Sequence, residues 1–175
     1  MKKWSVFVVL ILSIVLAGCS SDSENSSSAD DEFDIKRLIK DFSTREVSAE
    51  QASINGKELI VNEEDGSENV YDISNEDFFV SIAPYENQTH PCTFHSLTGC
   101  QGEMVEETFN VYVEDEEGNV VIDEEMTTYE NGFIDLWLPR DKTYNVKIGH
   151  NGKSTEAQIS TYEDDATCIT TMQLA

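Results

Sequence analysis

Positive charge is scarce in this chain: its 175 residues include 11 Lys and Arg against 35 Asp and Glu, a formal net charge of −24. Binding to nucleic acid needs clustered Lys and Arg, so the charge argues against a nucleic-acid partner. Electrostatic docking on anionic lipid is disfavoured for the same reason. An acidic surface instead concentrates cations around the protein.

Proline and glycine are also scarce, with 3 Pro and 9 Gly, which excludes collagen-like and Pro-rich disordered chains. Hydrophobic residues make up 39% of the chain, enough for one core or two small ones but not for several large domains. Cysteine and histidine are few, with 4 Cys and 3 His, yet their spacing carries most of the functional information.

A lipoprotein signal is predicted at the N-terminus. Residues 1–3 are a short positive segment, residues 4–15 are an almost unbroken apolar run, and the Leu-Ala-Gly-Cys sequence ending at Cys19 matches the bacterial lipobox. The run is shorter than the ~20 residues that a membrane-spanning helix needs. We expect residues 1–18 to be a cleaved signal peptide and Cys19 to be lipidated, which predicts an extracytoplasmic protein anchored to the cell membrane.

Residues 19–32 predict an acidic, Ser-rich tether. Half of residues 20–31 are serine and none has a large apolar side chain, so the segment cannot bury enough surface to offset its ordering entropy. Flexible-chain scaling gives such a segment a root-mean-square reach of roughly 20 Å. We expect it to hold the following part of the chain clear of the bilayer.

The sequence of residues 33–89 predicts a small N-terminal unit that contains one helix and several strands. Residues 59–61 and 70–73 flank a polar turn and indicate a hairpin, and residues 78–83 form another apolar strand. Residues 48–51 resemble a capping box, although no apolar run follows them. One amphipathic helix is indicated, with Asp34 or Asp31 as its cap, by apolar residues at i, i+3, i+4 and i+7: Ile35, Leu38, Ile39 and Phe42.

The sequence of residues 90–175 predicts a C-terminal, β-rich domain. From Thr108 onward, apolar and polar residues alternate in short runs that are separated by turn residues such as Asn151 and Gly152. Six or seven short strands at this spacing indicate an antiparallel sandwich. The predicted fold class is therefore α+β: a small N-terminal helix-plus-strand unit followed by a β-sandwich-like antiparallel domain.

With Cys19 assigned to the lipid, three thiols remain: Cys92, Cys100 and Cys168. This odd number allows one disulfide at most within the chain and leaves a thiol over. His90 and His95 flank the first of these cysteines. A short helical turn, with Thr89 and Gly99 at its ends, would bring Cys92 and His95 to one face.

Thiolates with an imidazole favour Cu(I) or Zn(II) over hard cations. The spacing is equally compatible with a structural Cys92–Cys100 disulfide and an inert Cys168. A further interpretation is that a cysteine beside His95 acts as a nucleophile, but no protease or transferase signature surrounds it. The acidic charge should raise thiol pKa values, which favours a metal binder over an enzyme because a bound cation deprotonates thiols.

A longer pattern surrounds these residues. It consists of Thr89-His90-Xaa-Cys92-Xaa-Phe94-His95-Ser96-Leu97-Thr98-Xaa-Cys100-Xaa-Gly102-Glu103, then Thr127-Thr128-Tyr129-Xaa-Asn131-Gly132-Phe133, Leu138-Pro139-Arg140-Asp141, and Asp164-Asp165-Xaa-Thr167-Cys168-Xaa-Thr170-Thr171. Over roughly residues 33–175, the chain resembles the CueP-like family of extracytoplasmic copper-binding proteins.

The resemblance implies a copper-resistance protein in which Cys92, Cys100 and Cys168 bind copper. His95 is the first candidate imidazole and His90 a secondary one. It also implies reduction of Cu(II) to Cu(I), copper supply to an extracytoplasmic superoxide dismutase, and homodimers formed through the N-terminal part.

Two alternatives to this copper protein stay open. Zinc is a weaker candidate for the metal. The rival function is a disulfide-stapled surface lipoprotein, a binding or adhesion module without metal. We do not expect an enzyme, because one thiol pair supplies two electrons and its sulfurs then cannot bind the metal.

Overall fold

The structure is a computed structural model that describes residues 33–175. The predictions for residues 1–18, for the tether at 19–32 and for lipidation of Cys19 lie outside the described residues. The elements are α1 (Ile35–Ser43), β1 (Gln51–Ile54), β2 (Glu58–Asn62), β3 (Glu68–Asp72), β4 (Phe78–Ile82), β5 (His95–Ser96), β6 (Thr108–Asp115), β7 (Val120–Thr127), β8 (Ile134–Leu138), β9 (Thr143–His150), β10 (Lys153–Ser160) and β11 (Cys168–Ile169).

Helix α1 forms where the apolar spacing predicts it. The Asp34 carboxylate caps its first turn by accepting a hydrogen bond from the Arg37 N–H at 3.1 Å. Ile39 and Phe42 are buried against the strands that follow. Within the described residues, no helix is long and apolar enough to cross a membrane.

The strands form three sheets. The first sheet has the order β3-β2-β1-β5, the central sheet β11-β4-β8, and the outer sheet β10-β9-β6-β7. The named strand pairs are antiparallel except that β11 runs parallel to β4, where Cys168 lies opposite Ser81. This parallel pair brings the C-terminal segment to the middle of the fold.

Strand β4 is buried on both faces and separates two hydrophobic cores. Phe78 packs with apolar side chains of β6, β8 and β9 in the core between the central and outer sheets. Its neighbour Phe79 packs on the opposite face, in a core shared with α1 and the first sheet. A strand covered on both sides needs a continuous apolar run instead of alternation, and residues 78–83 supply one.

The predicted fold class is confirmed, as are the helix and the β2–β3 hairpin. Two local predictions are wrong. Residues 48–51 do not cap a helix, because strand β1 begins at Gln51. The segment from Thr89 to Gly99 is not helical either, because β5 within it pairs with β1, and pairing with a distant strand overrides the local capping signals.

The division into units 33–89 and 90–175 stays a prediction. Three strand pairs join residues on either side of that boundary: β1 with β5, β4 with β8, and β4 with β11. The two parts therefore share the central sheet and both cores.

Candidate metal centre

Cys168 is fixed to the central sheet by backbone hydrogen bonds. The Thr167 carbonyl accepts from the Ser81 N–H at 2.8 Å, and the Ile169 carbonyl accepts from the Ala83 N–H at 2.9 Å. Cys168 itself is 2% exposed. Because β4 is the most completely buried strand, its short parallel partner holds this thiol in a well-defined place.

Cys92 and Cys100 come from the segment that surrounds β5. The Thr93 carbonyl accepts from the Cys168 N–H at 3.1 Å, which joins the Cys92 side of this segment to β11. The Cys100 N–H donates to the Ser96 carbonyl at 2.9 Å, in a turn directly after β5. Strand β5 therefore directs the two cysteines on either side of it toward the one on β11.

Four side chains meet at this point: His90, Cys92, Cys100 and Cys168. One ligand atom from each lies within 4.8 Å of all the others, and the Sγ atoms of Cys92 and Cys100 are 3.5 Å apart. The three thiols are free. Two sulfurs that bind one ion at about 2.3 Å lie roughly 4 Å apart, so the ligand atoms of this group need only small adjustments of position to bind a single soft metal ion.

The two imidazoles occupy different positions. His90 belongs to the group of ligand atoms, whereas His95 does not. Within the described residues, His95 is fully buried with no hydrogen-bond partner for either ring nitrogen, and Nε2 of His90 is also buried without one. Buried polar atoms are nearly always partnered, so these nitrogens fit a centre that takes a further ligand. Which imidazole binds stays a prediction.

The backbone of His95 is anchored although its ring is not. Its N–H donates to Oγ1 of Thr167 at 3.0 Å, and that hydroxyl donates to the Ile54 carbonyl at 2.6 Å. The hydroxyl thus connects β1, β5 and the residue before Cys168. His150, the third histidine, lies outside the group, and its Nδ1 is 2.9 Å from the Thr108 carbonyl.

The three thiols differ in acidity because they hydrogen-bond to one another. The Cys168 thiol, followed by the His95 and His90 rings, lowers the pKa of Cys100 to about 2. The pKa of Cys168 is raised by the same bond to Cys100 and by burial, and burial raises the pKa of Cys92. The sequence predicted upward pKa shifts for all three thiols. Cys100 departs from this because the effects of the Cys168 thiol and of the two neighbouring imidazoles outweigh its burial.

These differences in thiol acidity favour the binding of a cation at the centre. The directions of these shifts favour the thiolate form of Cys100 and the protonated form of the other two sulfurs. A soft metal ion would displace those protons and bind three thiolates. With the electrostatics of an acidic surface, the arrangement suits capture of a metal cation.

An apolar wall borders the sulfurs. Phe133 is fully buried and packs in one cluster with Ala83, Cys100 and Cys168. Reasoning from ligand types alone gives such a residue no role, because phenyl rings do not bind these metals. The signal that could have found it is the Asn131-Gly132-Phe133 sequence, a turn that ends in an aromatic residue.

Comparisons with known proteins show which family this chain resembles in sequence and fold. The family model for the periplasmic copper-binding protein CueP matches residues 35–173. The crystal structure of S.CueP is similar, with a TM-score of 0.77 and 35% sequence identity over 83% of this chain and 91% of that chain. A search of curated proteins gave no match. Since the family model spans well over half of its length, the chain belongs to the CueP family of periplasmic copper-binding proteins.

Proposed function

We propose that the chain binds one copper ion outside the cytoplasm and holds it as Cu(I) between Cys92, Cys100 and Cys168. The observation that supports this most directly is the meeting of three free sulfurs and one imidazole nitrogen within 4.8 Å. Soft thiolates favour Cu(I), and membership of a copper-binding family points to the same metal. His90 is the imidazole that we propose beside the sulfurs.

Copper and zinc make different demands on this donor set. Cu(I) is satisfied by three thiolates, whereas a closed zinc site needs four ligands in a tetrahedron. Replacing His90 with Ala should therefore weaken Zn(II) binding strongly and Cu(I) binding little. Equal losses for the two metals would contradict a three-sulfur Cu(I) site.

Reduction of Cu(II) is the second part of the proposal. Two Cu(II) ions would take one electron each from the Cys92 thiol and the Cys100 thiolate, which yields two Cu(I), one disulfide and one proton from Cys92. The 3.5 Å separation of these sulfurs supports the pairing. The oxidised pair can no longer bind copper, so the chain acts stoichiometrically unless a thiol reductant restores it. We therefore propose a binding protein and no enzyme.

The test is a Cu(I) titration of the reduced chain against a competing chelator. We expect one Cu(I) per chain and a loss of at least about tenfold in affinity for Cys168→Ser. His150→Ala is the matched control, because this histidine lies outside the group, and it should leave binding unchanged. Unchanged affinity in Cys168→Ser would remove that thiol from the site.

A thiol count separates copper binding from a disulfide-stapled module without metal. Copper binding predicts three reactive thiols in the reduced protein and their protection when Cu(I) is added. The rival predicts one thiol, reactive only after denaturation, and no competition with a Cu(I) chelator.

Anchoring and delivery complete the proposal. We propose that Cys19 carries a lipid and that copper passes to an acceptor such as an extracytoplasmic superoxide dismutase, for copper tolerance or supply. Labelling of cells with a palmitate analogue should mark the wild-type protein and not Cys19→Ser. A labelled Cys19→Ser protein would contradict the assignment of the lipidated cysteine.

A further inference from the structure

The phenyl ring of Phe133 touches both imidazoles near the sulfurs. Its centroid is 4.5 Å from the ring of His95 and 6.2 Å from that of His90, with interplanar angles of 56° and 63°. Each imidazole has at least one buried ring nitrogen without a hydrogen-bond partner in the described part of the chain. Packing against Phe133 therefore takes the place of the hydrogen bond that usually fixes such a ring.

The phenyl ring of Phe133 also forms the apolar, water-excluding side of the centre. Phe133 is 0% exposed and shares one apolar cluster with Cys100 and Cys168, against which Cys92 also packs. An apolar shell of this kind controls how water reaches a metal and which dielectric its ligands experience. Cys92 and His90 are the more exposed members of the group, so the centre is open on one side and closed on the other.

The backbone around Phe133 is rigidly placed. Its N–H donates to Oδ1 of Asn131 at 3.0 Å, and the Asn131 carbonyl accepts from the Gly102 N–H at 2.7 Å. Gly132 has φ +76°, and a Cβ atom there would lie 2.8 Å from the backbone of Gly102. The turn that carries the ring is thus pressed against the segment that follows Cys100.

We propose that Phe133 is a positioning residue of the centre, which orients His90 and His95 against the sulfurs and excludes water from their buried side. The inference rests on the proposed copper site only for its second test. The first test uses the metal-free protein and examines the sulfurs directly.

The first test measures the alkylation rate of each cysteine by mass spectrometry in the metal-free, reduced chain. Phe133→Ala should raise the alkylation rates of Cys100 and Cys168 at least about tenfold, and Phe133→Leu should raise them less. Phe109→Ala is the matched control. Phe109 is equally buried and packs on an imidazole, that of His150 at 4.8 Å, but it lies in the core between the central and outer sheets.

The control separates local opening from loss of stability, because both substitutions remove a buried phenyl ring. Equal acceleration in Phe133→Ala and Phe109→Ala would overturn the proposal, as would no acceleration in either. A rate increase confined to Phe133→Ala would support it.

In the copper-loaded chain, the luminescence of Cu(I) bound to thiolates reports contact with water, which quenches it. We expect Phe133→Ala to quench this emission and to weaken Cu(I) binding about tenfold, with partial recovery in Phe133→Leu. Unchanged emission and affinity would overturn the positioning role. If the wild type takes up no Cu(I), the copper proposal fails, and the alkylation rates still decide the role of Phe133.

Discussion

Gly102 and Gly132 meet backbone to backbone, two residues after Cys100 and one residue before Phe133. A Cβ atom on Gly102 would lie 2.4 Å from the Gly132 carbonyl oxygen, closer than such atoms approach. At the scale of single residues, the centre therefore depends on the absence of two side chains as well as on the presence of three sulfurs.

Gly132→Ala tests this contact. Gly132 and Gly152 both adopt positive φ, but a Cβ at Gly152 would meet nothing within 4 Å. The strain of left-handed backbone costs about 1–2 kcal/mol in both variants. Overpacking should lower the free energy of unfolding of Gly132→Ala by about 1–3 kcal/mol more than that of Gly152→Ala.

Urea unfolding of the two glycine variants measures this difference. Copper affinity should fall in Gly132→Ala alone, since the clash displaces the turn next to the sulfurs. Equal free energies of unfolding for the two variants would show that the close approach of Gly102 and Gly132 does not affect stability.

At the scale of elements, Arg140 connects the end of β8 to the first sheet. Its guanidinium donates to the carbonyls of Glu76, Gly56 and Ile73 at 2.6, 2.8 and 2.9 Å, and lies over the ring of Phe78. Three backbone carbonyls of connecting segments thus share one cation, in a chain that has few cations.

We expect Arg140→Ala to lower the free energy of unfolding by about 3 kcal/mol, because charged hydrogen bonds are lost and carbonyls lose their donor. Arg37→Ala is the control. Arg37 is exposed and pairs with Asp41 on the surface of α1 at 3.8 Å, so its removal should cost about 0.5 kcal/mol or less. Similar losses in the two variants, measured by urea unfolding, would refute the connecting role of Arg140.

The turn between β6 and β7 gives a pH-dependent prediction. Hydrogen bonds from the side chain and backbone of Asn119, with a further one from Lys142, lower the pKa of Asp115 from 3.8 to about 2. Because the folded-state pKa is the lower one, the carboxylate stabilises the fold above pH 3.8 and loses this effect as the pH falls through about 2.

Thermal unfolding as a function of pH tests this prediction. Stability of the wild type should fall between these two pH values, and Asp115→Asn should show a smaller fall. Asp164→Asn, whose carboxylate is 95% exposed, should keep the wild-type slope. A slope that is unchanged in Asp115→Asn would show that this carboxylate does not control acid stability.

At the scale of the whole molecule, strand pairing across the predicted boundary at residues 89 and 90 gives a prediction about cooperativity. The central sheet takes β4 from one side and β8 and β11 from the other. We expect residues 33–175 to unfold in one transition, because neither core is complete without β4.

Hydrogen exchange measured by mass spectrometry can test this. Peptides from β2 of the first sheet and β9 of the outer sheet should open with the same free energy under conditions that favour global unfolding. Two separate opening energies would support the division into units 33–89 and 90–175.

Much of the fold follows from local pattern. The apolar spacing of α1 and the alternation of Phe109, Val111 and Val113 in β6 are visible in the sequence, since one face of each element is buried. Strand β5 could not be predicted from the sequence, because two residues are too few to show an alternation of apolar and polar side chains. Its structure depends on pairing with β1, far away in the chain.

The sequence by itself determined the donor types: three thiols besides the predicted lipidated one, two nearby imidazoles, and an acidic chain that favours cations. It also placed the chain near a copper-binding family through its motifs. Only the tertiary structure decided that Cys168 meets the other sulfurs, that His90 joins their group and that Phe133 closes one side. The physical reason is that spacing along a chain fixes neighbours within one element, whereas contacts between β5, β11 and the turn before β8 arise from packing against the central sheet.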